Sequence, residues 1–507
     1  MERIDMNTFL KKIALCGLTL LPVWPQAGAQ TRIFRQLPAD SSIGFGLSEK
    51  FTVEVKTCSE TYRPVYTYGI TPNNESTVTR KEHLAMFGFD PADGPVTIKV
   101  TLNDASALSA TNIGLVNKTY KGVTTSFEDG AFLIQVCQPL KQLMVRMPGD
   151  KANPLMIHVD PYENPPLPAD AKVVIFDGGA NGKIHEQTAE WDRYTVPNDV
   201  DAVVIEDGAL FKGTIHLEES RSTPLTVQGN GMIICRYTSK PSNDVKMKFN
   251  ALELTHGSGH KIDGLTFVNG RHFAIRTSKA AHARNIKIYG YRANNDGIVA
   301  GDDSLIENSF FKCNDDHVKL YYPRTIVRNC VFYEQWNGAI FRFAWNRLDP
   351  GDDCLIENIE VLEWEANCGD PDLGSGGIAR SFINHRESED YGKMLLNTTF
   401  RNIYIQPSIA RFICLNGLDH PITYKNLTIE NVTLEQAPKG YNWIYANKAD
   451  DDSTSIEINF KNVRFGDRFI QQDDFKTKGT VNLSFDNSGE PYVGFLNPDE
   501  PTACACD

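Results

Sequence analysis

The chain has 507 residues, 41% apolar and 23% charged, the balance of an ordinary soluble globular protein with room for more than one core. A net charge of -13 argues against nucleic acid or an acidic membrane surface as a partner, and weighs mildly against a strongly anionic substrate. No Gly-Lys-Ser phosphate loop, Gly-x-Ser-x-Gly elbow or His-Glu-x-x-His helix occurs, so any chemistry must come from other groups.

At the N-terminus Lys11 and Lys12 precede an apolar run from Ile13 to Leu21, and the small residues Ala27, Gly28 and Ala29 follow. This reads as a signal peptide over residues 1–29, cleaved near Ala29, in a secreted or periplasmic protein. The run is too short for a retained membrane span. Export permits disulfides. Cys16 leaves with the signal, which leaves ten of the eleven cysteines. Cys58 and Cys137 are candidates to pair in the first region, and no Cys/His spacing suits zinc.

Residues 30–165 hold short alternating runs, among them Phe51-Thr-Val-Glu-Val55, Val96-Thr-Ile-Lys-Val100 and Ala131-Phe-Leu-Ile-Gln-Val136. Turns such as Pro91-Ala-Asp-Gly94 and Glu128-Asp-Gly130 separate them, the pattern of an N-terminal β-sandwich. The proline-rich stretch from Pro161 to Pro168 reads as a stiff linker.

Over residues 171–507 the texture becomes a repeat: Ile262-Asp-Gly-Leu-Thr-Phe267, Arg284-Asn-Ile-Lys-Ile288, Ile306-Glu-Asn-Ser-Phe-Phe311, Val327-Arg-Asn-Cys-Val-Phe332, with four later copies. The bend positions Gly264, Asn285, Asn308 and Asn329 lie 21, 23 and 21 residues apart. Later intervals widen to 29, 44, 29 and 31, which marks inserted loops. A period a little over twenty, with one small or amide residue at a fixed bend, is a solenoid signature. Asn tolerates the bend conformation and can bond the Asn one coil away. The short runs are rich in β-branched and aromatic residues, so the repeats are strands. A leucine-rich horseshoe lacks support because its Leu-x-x-Leu-x-Leu spacing is missing. The expected fold is all-β, a right-handed parallel β-helix preceded by a β-sandwich.

Consecutive coils align by their core residues. Asp296-Gly-Ile298 matches Asp316-His-Val318 at an offset of 20, and Gly338-Ala-Ile340 follows at 22. Aligned positions in a parallel β-helix stack about 4.8 Å apart. Asp296 and Asp316 are therefore expected as vertical neighbours, with Asp315 beside them. Crowded carboxyls raise one another's pKa at a cost in stability, which folds tolerate where chemistry needs it. Glycosidic hydrolysis needs such a set: a protonated carboxyl for the leaving oxygen and a second carboxyl on the other face of the sugar. Direct attack by water asks for about 6.5–9.5 Å between them, and the diagonal pair Asp315 and Asp296 is the candidate. Other Asp-Asp pairs occur at 302–303, 352–353 and 450–452, so alignment over two coils carries more weight than any single pair. The acidic runs at 349–353 and 450–452 read as solvated loops rather than calcium sites. Alternation points His317, Lys319 and Tyr321 outward with Asp315, and Val318 and Leu320 inward. Tyr321, Tyr322 and Trp336 are candidates for a wall that stacks on sugar rings, with Lys319 and Arg342 as nearby cations. Ordinary core packing is the competing reading for each aromatic residue taken alone.

Asn295-Asp-Gly297, Asn314-Asp-Asp316 and Val318-Lys-Leu-Tyr-Tyr322, ending at Phe343-Ala-Trp345, resemble glycoside hydrolase family 49, which contains the dextranases and isopullulanase. The resemblance implies a β-sandwich followed by a right-handed parallel β-helix, and inversion at the anomeric carbon. It implies that Asp315 is the general acid and that Asp296 and Asp316 activate water. Asn295, Asn314, His317, Lys319, Tyr321, Tyr322, Trp336, Arg342 and Trp345 are then the substrate-binding candidates. The implied partner is a neutral α-glucan such as dextran, cut within the chain by a monomer that uses no cofactor, binds no nucleic acid and has no membrane span. Pro323 departs from the family pattern, where Ser or a similar residue follows the paired tyrosines, and the stretch 346–386 differs as well. Those loops shape the cleft, so the linkage stays open. The polygalacturonase relatives place Gly-His-Gly and Arg-Ile-Lys after their aspartates, and neither follows Asp316. The alternatives carried forward are a β-helix glycosidase on another polysaccharide and a glycan-binding or adhesion β-helix that does not cut.

Overall fold

The computed structural model describes residues 31–496 apart from 42–43, 59, 72–80, 105–112, 148–149, 188–192, 236–249, 271, 293, 344–350, 366–379, 387–392, 418–420, 448–453, 493 and 495. The signal peptide, Trp345 and most of the two acidic loops lie outside the described residues. No helix among the described residues is long and apolar enough to cross a membrane.

Alternation builds the first region. In Phe51–Lys56 and Val96–Leu102 every second side chain is buried: Phe51, Val53 and Val55, then Val96, Ile98, Val100 and Leu102. These strands join Ala131–Val136 in a five-stranded sheet. A seven-stranded sheet that includes Glu82–Phe89 and Asp150–Pro161 packs against it through one shared apolar core. Cys58 and Cys137 are both disulfide-bonded.

From Val173–Phe176 to Thr480–Asp486 the chain winds as a right-handed parallel β-helix. A typical coil gives two strands to a twenty-stranded sheet, one on each side of the amide bend, and a third to an eleven-stranded sheet. The bend is left-handed: φ is +80° at Gly264, +52° at Asn285, +51° at Asn308 and +56° at Asn329. Gly and Asn accept that conformation at lower cost than other residues. Farther along, each bend amide donates to the one before it. Asn358 bonds Asn329 at 3.0 Å, Asn402 bonds Asn358 at 3.1 Å, Asn431 bonds Asn402 at 3.3 Å and Asn462 bonds Asn431 at 3.2 Å. Asn285 differs, because the sandwich covers its coil: its amide donates to Asp160 at 2.9 Å.

Inside the solenoid, like residues stack on like, as Phe311 and Phe332 do at 5.1 Å and 11°. The sandwich sits on the outer face. Its core residues Phe87, Met144 and Ile157 merge into one apolar cluster with Leu210, Met232, Val268, Phe310 and Val331 of the β-helix. Buried ion pairs cross this seam, with Lys287 at 2.6 Å from Asp160 and Lys312 against Glu82. Tyr291 also donates to Glu82 at 2.8 Å. Lys312 lies on the strand Phe310–Cys313, which leads directly into Asn314, Asp315 and Asp316.

The register corrects one expectation. Ile298 pairs with Val318 as aligned, but Val318 pairs with Phe341 and not Ile340. The coil is one residue longer than core alignment suggests. Gly338, at φ +96°, takes up the extra residue just before the strand Ala339–Phe343.

Candidate active site

Three neighbouring strands of the eleven-stranded sheet carry the site: Asp296–Val299, Val318–Lys319 and Ala339–Phe343. Ile298, Val318 and Phe341 fill the solenoid core. Lys319 and Arg342, paired in register, lie on the opposite face of the sheet. The three aspartates converge there, and one oxygen from each lies within 4.8 Å of the others.

Asp316 is the most tightly held. One of its oxygens accepts from Arg342 Nε at 3.0 Å, from Arg342 Nη2 at 2.9 Å and from the Ala339 amide at 2.7 Å. The other accepts from Lys319 Nζ. Burial works against its charge, but Arg342 and Lys319 outweigh burial and hold this carboxyl far below the ordinary range. Asp296 is pushed the other way by burial, with the charges of Asp315 and Asp316 adding to the rise. Lys319 opposes that rise from 3.2 Å, and His272 Nε2 lies 3.3 Å from the second oxygen. Burial and the neighbouring Asp316 raise Asp315 to about 6. Asp315 is also the partly exposed member of the trio, whereas Asp296 and Asp316 are 4% and 3% exposed.

Charge balance decides where a proton sits. Three carboxylates face two fixed cations, since Asp296 and Asp316 hold Lys319 protonated despite its burial. One excess negative charge remains, and one proton shared over the cluster removes it. Asp296 and Asp315 compete for that proton. Asp296 has the Lys319 ammonium beside it, which favours its ionised form. Asp315 accepts from neutral donors, the Asn337 amide at 3.2 Å and the Asp316 backbone N–H at 3.0 Å, while Lys319 and Arg342 act on it through charge alone. Both carboxyls are raised, and the pair shares the proton. The trio is dense enough to ligate a cation, yet Lys319 and Arg342 already occupy the inward oxygens of Asp316.

The other residues singled out in the sequence fall at different distances from the cluster. Lys319 and Arg342 are brought into the cluster. Tyr321 stands beside it, its ring 5.8 Å from Lys319 Nζ, and burial pushes its hydroxyl up to about 12. Tyr322 and Trp336 are partly exposed nearby in sequence, with the Arg380 guanidinium 5.2 Å from the Trp336 ring. Asn295 and Asn314 are buried braces: their amides donate to the backbone carbonyls of Gly270 and Tyr291. His317 does not point outward. It is fully buried, with Nε2 3.0 Å from the Tyr333 carbonyl and Nδ1 3.2 Å from Glu334. The reason is local. Extended structure begins at Val318, so residues before it belong to the turn and strand alternation does not apply to them.

Several contributors escaped the sequence reading. Asn337 reaches Asp315, His272 reaches Asp296, and Asn384 accepts from Arg342. Gly338 matters through what it lacks. A Cβ there would lie 2.5 Å from the Asp316 nitrogen and 2.7 Å from an Asp315 carboxyl oxygen. His272 was within reach of coil alignment, since Phe273 pairs with Asp296 one rung back.

No family model matches the chain. Over 148 residues it is 21% identical to isopullulanase from Aspergillus niger, a stretch covering 28% of this chain. That stretch spans 25% of isopullulanase. The solved structure of Dex49A from Penicillium minioluteum superposes with a TM-score of 0.69 over 89% of this chain and 96% of that one, at 13% identity. A polygalacturonase from Erwinia carotovora ssp. carotovora gives a TM-score of 0.45 at 13% identity, over 62% of this chain and 89% of that one. Sharing its fold with Dex49A and a stretch of sequence with isopullulanase, the chain is glycoside hydrolase family 49-like.

Proposed function

We propose that this chain is a glycoside hydrolase acting on an α-linked glucan, with Asp315 as its general acid. The observation that carries the reading is the convergence of three aspartates from adjacent rungs, within 4.8 Å, around two fixed cations. In the reaction, the bond from the anomeric carbon to the glycosidic oxygen breaks as Asp315 gives its proton to that oxygen. Water attacks the anomeric carbon and passes a proton to Asp296. Asp316, ionised and locked by Arg342 and Lys319, supplies a fixed negative charge as positive charge develops on the sugar. Solvent then restores both protonation states. The same reading extends to a secreted or periplasmic monomer that cuts within neutral polymers such as dextran, since the matched relative is named for a glucan-cleaving activity.

One observation favours a second stereochemical course. Direct displacement uses carboxyls about 6.5–9.5 Å apart and double displacement about 5–5.5 Å. Nearest oxygens within 4.8 Å sit toward the shorter end. Double displacement would make Asp296 the nucleophile. Proton NMR of the first product separates the two courses: an inverted anomer supports water attack, and a retained one supports a covalent intermediate.

The activity itself is tested by incubating the protein with dextran, pullulan and polygalacturonate and measuring reducing ends. Release from an α-glucan is expected. Asp315→Asn is expected to lower turnover by at least about 100-fold with binding retained, because the shape is kept and the proton is lost. Binding without cleavage of any polymer by the unaltered protein would remove the hydrolase reading in favour of a glycan-binding β-helix.

A further inference from the structure

We infer that Trp443 and Tyr445 form a remote sugar-binding subsite, on the same sheet face as the aspartates and three rungs beyond Arg342 along the solenoid axis. The inference rests on the glycan-hydrolase reading and deepens it, because it concerns how a long chain is held.

The register traces the path. Lys319 pairs with Arg342, Arg342 with Asn384, Asn384 with Cys414 and Cys414 with Trp443. Residues paired across parallel strands point to the same side. Ile444, between the two aromatic residues, fills the solenoid core, so Trp443 and Tyr445 lie on the face shared with Lys319 and Arg342. Rungs are about 4.8 Å apart, which places Trp443 about 14 Å from the Arg342 rung. That interval suits a polymer held at the cleavage point and again a few sugar units away.

The local chemistry fits a sugar better than a core role. Neither Trp443 nor Tyr445 belongs to an apolar cluster. Their rings are nearly parallel, at 15° with centroids 5.8 Å apart. Arg411 lies 4.9 Å from the Trp443 ring centroid, and Trp443 stays partly exposed. Its indole N–H is turned inward, buried and without a hydrogen-bond acceptor among the described residues, so the exposed part of Trp443 is ring. A partly exposed indole flanked by a tyrosine ring suits a sugar, whose C–H face packs against the exposed part of the aromatic pair. The platform is also rigid. Asn442, next to Trp443, accepts from the Phe412 and Ile413 amides at 2.9 and 3.2 Å, and donates to the Asp474 carbonyl at 3.2 Å. It thus ties together three successive coils.

The test uses the full-length protein and oligosaccharides of three and eight units, prepared from whichever panel polymer it cleaves. For the unaltered protein, kcat/KM should rise with chain length. Trp443→Ala should lower kcat/KM on the eight-unit substrate by about tenfold and leave the three-unit rate within twofold. Trp443→Phe, which keeps a stacking face, should recover much of the loss. An equal length dependence in Trp443→Ala and the unaltered protein overturns the subsite while leaving the hydrolase reading intact. Affinity electrophoresis in dextran gels covers the remaining case. If no polymer is cut but retardation is seen and is lost in Trp443→Ala, the subsite stands and the hydrolase reading falls. If no polymer is cut and Trp443→Ala migrates like the unaltered protein, both fall.

Discussion

Replacing Arg342 with Gln should move the whole pH–rate profile toward alkaline pH rather than simply lower it. The guanidinium makes two bonds to one oxygen of Asp316, at 2.9 and 3.0 Å, and the side chains are only 2% and 4% exposed. With charge centres about 4 Å apart and an effective dielectric of about 20, the attraction is about 4 kcal/mol, or about 3 pKa units. Lys319 remains beside Asp316 and recovers part of that. Asp316 should therefore rise from far below the ordinary carboxyl range to within it or above. The reaction needs both Asp296 and Asp316 ionised, so once Asp316 titrates above the limit that Asp296 sets in the unaltered protein, the acidic limb of kcat/KM should rise. The same cation also restrains Asp315, so the alkaline limb set by the acid, near 6 in the unaltered protein, should rise as well. The assay is kcat/KM against pH on the cleaved polymer, with circular dichroism to confirm folding because Asn384 loses its donor. Arg342→Lys keeps the charge without the forked geometry, so its limbs should stay in place while its rate drops. Equal loss at every pH in Arg342→Gln, with both limbs unmoved, would refute the charge-balance argument.

Three further outcomes follow from the same geometry. Asp315 has a folded pKa of about 6 against an ordinary 3.8, so its neutral form stabilises the fold below the ordinary value and that stabilisation is lost as pH rises through about 6. At pH 7 its ionisation therefore costs about 3 kcal/mol; Asp315→Asn should raise the urea midpoint at pH 7 and show little gain near pH 4, and no gain at pH 7 counts against the shift. Gly338→Ala should keep the far-ultraviolet spectrum but reduce turnover by about 100-fold, since the new methyl group collides with the backbone between Asp315 and Asp316 at a positive φ; wild-type turnover would show that this turn yields at no cost to the site. Lys312→Met should cost about 3 kcal/mol in urea unfolding by leaving Glu82 buried opposite Glu365, and adding Glu82→Gln should restore much of it; additive losses in the double variant would argue against a direct pairing.

The repeat was legible because its cause is local. Each coil needs one residue that accepts a left-handed bend, and Asn at Asn358, Asn402, Asn431 and Asn462 meets that need while bonding its predecessor. The aspartate trio was legible for the same reason, since stacking turns a sequence offset into spatial contact. Reading failed where geometry departed from regular strand. The extra residue at Gly338 shifted the next coil by one, and the turn before Val318 reversed the side on which His317 lies. The seam had no sequence signal. Glu82 and Lys312 are 230 residues apart, and Asp160 and Lys287 are 127 apart, so nothing in their local patterns marks them as partners.

That seam explains how a cluster with excess negative charge keeps its shape. The turn carrying Asp315 hangs from Asn314, whose amide donates to the Tyr291 carbonyl at 3.3 Å. Tyr291 in turn donates to Glu82 of the sandwich at 2.8 Å, and Lys312, three residues before Asp315, reaches the same carboxyl. Two covalently close points of the turn therefore end on one buried group of the other domain. Repulsion among Asp296, Asp315 and Asp316 pushes the turn outward, against the pull of Arg342 and Lys319 and the neutral donors Asn337 and Ala339. A turn held from one side would relax by moving the partly exposed Asp315 toward water, where its pKa would fall and its proton would be lost. Anchoring through Glu82 denies that movement. The sandwich, with no side chain among the aspartates in the described residues, thus helps hold the raised pKa on which the proposed acid role of Asp315 depends.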